Sequence, residues 1–144
     1  RTIFPEMAGL DDAFVRLKRH HFDASDRAAA DGRYEDAVAL LEVVARHDPG
    51  ASVEVAERRR EVERRWSDSV AERAVAAERE GRLGVALAHY LRADEIARTP
   101  RFAAERDELA IVLRREGQLS TADAWRLVRE ASRSTCGRSV IAAL

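Results

Sequence analysis

The chain has 144 residues, is 46% hydrophobic and 35% charged, and sets 25 basic side chains against 26 acidic ones for a formal charge of −1. That size suits one domain, and the apolar content excludes a solvated disordered tail. Seven Gly and three Pro argue against a turn-rich β-sandwich, the single Cys136 rules out an intramolecular disulfide or an all-Cys metal site, and the apolar run Val140–Leu144 is far shorter than a membrane span.

Six helices are predicted, near residues 10–31, 34–47, 52–80, 83–97, 101–116 and 120–132. The first ends at Gly32, in Asp31-Gly32-Arg33-Tyr34, where a left-handed glycine stops one helix before the next begins. In the second, Tyr34, Ala37, Val38, Leu41, Val44 and Ala45 keep the i, i+3, i+4, i+7 spacing of one buried face. Leu40 and Val43 widen that stripe, as a helix covered on two sides requires, and Asp48-Pro49-Gly50 closes the hairpin.

No Gly or Pro interrupts 52–80, so one helix of about 43 Å is predicted there. Val62, Trp66, Val70, Ala74 and Ala77 stay on one face along it. The competing reading is a break near Ser67–Ser69, where Ser69 and Glu72 form a capping-box pattern. Glu80-Gly81-Arg82-Leu83 then repeats the first turn, and Leu83, Ala86, Leu87, Tyr90 and Ala93 repeat the buried stripe. Thr99 is the expected N-cap of the fifth helix, with Pro100 at its first position. Gly117, in Glu116-Gly117-Gln118-Leu119, marks a third turn. The chain thus reads as three helix–glycine–helix hairpins, about 10–47, 52–97 and 101–132, in a single domain over 1–132. The tail 133–144 is unassigned.

The 27 Ala and 24 Arg are good helix formers. Lys18 is the only lysine and Asn is absent, a bias that fits the codon usage of a GC-rich bacterial genome. Ala28, Ala37, Ala74, Ala77, Ala86 and Ala93 fall where paired helices need close contact. The opening Arg1 in place of Met suggests a piece of a longer chain or a processed product. A cytoplasmic location is expected, with the periplasm as the alternative.

Ala28, Gly32, Tyr34, Ala37, Leu41 and Asp48-Pro49 resemble the tetratricopeptide repeat family, as do Ala74, Ala77, Gly81, Leu83, Ala86, Tyr90 and Ala93. Ala110, Leu113, Gly117, Leu119 and Ala122 form a weaker third unit, in which Arg126 and Arg129 replace apolar and small residues. The resemblance covers about 18–132. Gly32 and Gly81 lie 49 residues apart and Gly81 and Gly117 lie 36 apart, against a family period of about 34. The surplus falls in 52–66. The resemblance implies an all-α stack of three hairpins, a solenoid with one unusually long helix.

It also implies a concave surface lined by the first helix of each pair and taking a peptide or helix of a partner. Carried over, that surface comprises Arg19, Phe22, Asp26 and Ala29, then Asp68, Ala71, Val75 and Arg79, then Asp107, Ile111, Arg114 and Arg115. The family's carboxylate clamp uses paired Lys and Asn. Phe22 with Asp26, and Ala71 with Val75, stand in those places, so capture of a chaperone tail is not expected.

Other candidates for chemistry read as structural. The run 57–65 holds five Arg and three Glu, but Glu54–Arg58 and Glu61–Arg65 are i, i+4 pairs, so a solvated helix face is favoured over a nucleic-acid site. Adjacent His20 and His21 point apart on a helix, while His47 and His89 lack evident metal-ligand companions. Cys136 lies near Arg133 and Arg138 but has no His–acid pairing. Trp66 and Trp125 are read as core anchors. No nucleotide-binding glycine loop or hydrolase motif occurs. The expectation is therefore a non-catalytic interaction scaffold without metal or cofactor. Self-association or spacing through 52–80, and a regulatory appendage of an enzyme, are the alternatives.

Overall fold

The computed structural model describes residues 5–117, with side chains from Asp11 onward. The helix predicted over 120–132, the tail, Trp125 and Cys136 lie outside the described residues. Those residues form five α-helices and no strand: α1 (Pro5–Ala30), α2 (Tyr34–His47), α3 (Ser52–Arg79), α4 (Leu83–Ala97) and α5 (Ala103–Arg115). A short 3-10 turn, Pro49–Ala51, joins α2 to α3.

The two glycine turns are built alike. Gly32 and Gly81 have φ of 76° and 71°. Arg33 N–H donates to the Ala28 carbonyl and Arg82 N–H to that of Ala77, both at 2.8 Å. Gly32 N–H reaches Ala29 O at 3.2 Å and Gly81 N–H reaches Glu78 O at 2.9 Å. These crossed bonds make the Schellman closure, which satisfies carbonyls that a helix end would otherwise leave unpaired. The arginine after each glycine pairs with the acid before it, Arg33 with Asp31 and Arg82 with Glu80.

The chain divides into two compact units between Glu63 and Arg64, inside α3. In the first unit Phe22, Ala28 and Ala29 of α1 meet Ala37, Leu41 and Val44 of α2, with Val55 and Val62 of α3 completing the core. The Ser25 hydroxyl donates to the Ala37 carbonyl at 2.9 Å, a helix-to-helix bond that requires the close approach alanine allows. In the second unit Val70, Ala71, Ala74 and Ala77 of α3 pack with Ala86, Leu87, Tyr90 and Ala93 of α4 and Leu109, Ala110 and Leu113 of α5. The six alanines expected at helix contacts are each at most 1% exposed.

Helix α3 is continuous through Ser67–Ser69. Ser67 is fully buried, and its hydroxyl donates to the Ala93 carbonyl of α4 at 2.8 Å. Two helix starts differ from expectation. Helix α1 begins at Pro5, and α5 begins at Ala103 rather than near Pro100. Helix α4 ends on Arg98, at a left-handed φ of 54°, and Arg101 N–H turns back to Thr99 O at 2.9 Å. The free N–H of Phe102 is then taken at 2.9 Å by the Asp94 carboxylate. That side chain, not Thr99, supplies the cap.

Candidate functional site: a groove in the second unit

The C-terminal half of α3, the middle of α4 and the start of α5 enclose an open groove of about 320 Å³. Asp68, Ala71, Glu72 and Val75 line it from α3, Tyr90 from α4, and Phe102 and Glu105 from the α5 end. Its floor is aromatic. Tyr90 is 3% exposed, and its ring lies 5.6 Å from that of Phe102 at a 36° tilt. Burial drives the Tyr90 hydroxyl well above its ordinary pKa, reinforced by a hydrogen bond with Glu78. The tyrosine is therefore neutral across the physiological range.

One wall is held by a charge clamp. Arg101 reaches Asp68 Oδ1 at 2.7 Å, and Arg64 reaches Asp68 Oδ2 at 3.1 Å. Arg101 also contacts the Arg64 carbonyl at 3.4 Å and stands 5.3 Å over the Phe102 ring. With both Asp68 oxygens engaged, the rim carboxylates of Glu72 and Glu105 carry the groove's negative charge. Val75, part of the apolar lining, is 38% exposed.

The structure brings together Asp68, Ala71 and Val75 from the residues carried over by resemblance. Arg79 is exposed in the last turn of α3 and does not line the groove. On α5 the register is corrected. Phe102 and Glu105 face the groove, whereas Asp107 is half-buried with its Oδ1 3.6 Å from Arg106 Nε. Ile111, Arg114 and Arg115 are exposed elsewhere on the helix. In the first unit Arg19 and Asp26 are exposed, but Phe22 and Ala29 belong to the core and offer a partner no surface. The reason for Phe22 is α3, whose Arg58 guanidinium lies 4.3 Å over the ring while pairing with Asp26 at 3.0 Å.

Sequence reasoning missed Glu72, Tyr90, Phe102 and Glu105 as groove residues. Tyr90 carried the signal of a core position, which it also is. Phe102 and Glu105 are three apart, one helical turn, but both lie before Asp107, where the resemblance begins the groove positions of this helix.

The arginine run on α3 is tied into the fold. Arg58 pairs with Asp26 and, at 3.5 Å, with Glu54, while Arg59 pairs with Glu63 at 2.8 Å and Glu42 at 3.1 Å. The apolar side of α3 is used as well: Val55 and Val62 enter one core, and Val70, Ala71, Ala74 and Ala77 the other. Trp66 packs against the second core, with Arg92 5.7 Å over its ring. His20 and His21 meet edge to face at 5.9 Å. Among the described residues no three His, Cys, Asp or Glu side chains converge as a metal site, and no helix is long and apolar enough to cross a membrane.

Comparison of the chain with protein-family models, with curated proteins and with solved structures finds no match.

Proposed function

We propose that the chain is a tetratricopeptide-like helical-repeat module acting as a non-catalytic interaction scaffold, and that its second unit holds a short segment of a partner protein. The observation that carries this reading is the groove itself: an aromatic and aliphatic floor of Tyr90, Phe102, Ala71 and Val75 beneath a rim bearing Glu72 and Glu105. Such a surface matches a peptide or helical turn with one apolar anchor and a neighbouring Arg or Lys. The anchor buries on the floor, and the cation meets the rim carboxylates. The paired Gly32 and Gly81 turns, with alanines at the helix contacts, support the repeat character.

Selection of a random peptide library on the intact chain tests the proposal. Enriched peptides are expected to combine an apolar residue with a nearby Arg or Lys, and Val75→Glu is expected to weaken them by about tenfold or more. Val75 is exposed, so its replacement leaves the core intact. Absence of enrichment, or affinity unchanged in Val75→Glu, overturns the reading.

A further inference from the structure

The start of α5 carries Phe102 and Glu105 into the groove of the second unit, yet little apolar packing holds it there. The core residues of α5, Leu109, Ala110 and Leu113, begin two turns further on. Between Phe102 and Leu109 the only buried side chain is Arg106. Phe102 stands at the N-cap position and has no side-chain polar atom with which to cap the helix. It packs against Tyr90, but apolar contact is non-directional and does not fix the turn's register. The Arg101–Asp68 pair beside it is about a third exposed on both sides, so it adds little.

Asp94 of α4 grips both ends of this turn. One carboxylate oxygen accepts the Phe102 N–H at 2.9 Å, and the other meets Arg106 Nη1 at 3.1 Å. The Arg106 N–H closes the turn on the Phe102 carbonyl at 3.0 Å. Asp94 is 1% exposed and Arg106 fully buried, so water does not compete for these bonds. Asp94 does not line the groove. We infer that Asp94 is a positioning residue for the groove: it sets the places of Phe102 and Glu105, and through them the affinity for the bound segment, without touching that segment. The inference rests on the reading of the groove as a peptide site. Without the Asp94 bond the Phe102 N–H is left to water and the first turn of α5 frays. A partner must then order that turn as it binds, at a cost in affinity.

Three variants that share Met at position 106 isolate the Phe102 bond: Arg106→Met, Asp94→Asn/Arg106→Met and Asp94→Leu/Arg106→Met. All remove the buried cation. The first two keep an oxygen for the Phe102 N–H, and the third, close to Asn in size, does not. Amide hydrogen exchange and affinity for peptides enriched on the native chain are read on each. The Phe102 amide is expected to be protected in the native chain and in the first two variants. In Asp94→Leu/Arg106→Met it should exchange faster while amides within α4, such as that of Tyr90, stay protected, and affinity should fall about tenfold below the other two. A residue that only stabilises the fold would move the amides of the whole unit together. A freely exchanging Phe102 amide in the native chain overturns the inference, as does equal affinity in all three variants. A native chain that binds no peptide overturns the groove reading and this inference together, a result read without any variant.

Discussion

The Arg106 guanidinium meets the Asp94 carboxylate at 3.1 Å in the interior of the second unit, with each side chain only 1% exposed. The two partners are unequally satisfied. Asp94 also accepts the backbone N–H of Phe102, whereas Arg106 Nε and Nη2 have no hydrogen-bond partner among the described residues. Removing Asp94 therefore leaves the buried cation only the more distant Asp107 carboxylate, at 3.6 Å, and frees a helix-capping N–H, while removing Arg106 leaves an anion that keeps its backbone partner. Asp94→Ala is expected to destabilise the chain by about 3–5 kcal/mol, in the range for a broken buried pair. Arg106→Met should cost less, and Asp94→Leu combined with Arg106→Met less than Asp94→Ala alone. Urea unfolding of the three variants gives the order.

Burial raises the Asp94 carboxyl above the ordinary carboxylate value, against the opposing pull of the Phe102 N–H and the Arg106 charge. The native chain then holds this proton more tightly than the unfolded chain does. By linkage the group's contribution is most favourable below the unfolded value of about 3.9 and declines as pH rises through the raised native value. Asp94→Asn cannot titrate there. The stability of the native sequence relative to Asp94→Asn should therefore fall as pH climbs from the acid side, measured by urea midpoints. A flat or rising difference contradicts this.

The glycines separate backbone strain from crowding. A Cβ at Gly81 meets nothing within 4 Å, so Gly81→Ala tests only its φ of 71°. It is expected to destabilise by about 1 kcal/mol. Gly84 lies inside α4 with equally open space and no positive φ, so Gly84→Ala should stabilise by about 0.5–1 kcal/mol. Equal shifts in thermal midpoint for the two would exclude the turn geometry as the cause.

Much of this architecture is legible in the residues. The repeated acid–Gly–Arg–apolar turns mark two hairpins because only glycine adopts their left-handed corner without strain. The alanine spacing marks the contacts because small side chains are what close packing admits. The unbroken run 52–80 foretells α3. The site is less legible. Asp94 and Arg106 look like the surface charges that crowd this chain, and only the fold brings them together out of solvent. Phe22 sits at a groove position by resemblance, yet α3 covers it, so Phe22→Glu would injure the core rather than probe binding. The start of α5 depends on a carboxylate eight residues upstream of Phe102, beyond what local capping rules detect.

On the proposed reading, Glu72 and Glu105 select a cation beside an apolar anchor. The most direct measurement is the affinity of two matched peptides, one with Arg and one with Glu beside the anchor, for the native chain and for Glu72→Lys/Glu105→Lys. The native chain is expected to prefer the Arg peptide and the double variant the Glu peptide. Equal preference in both proteins would contradict it.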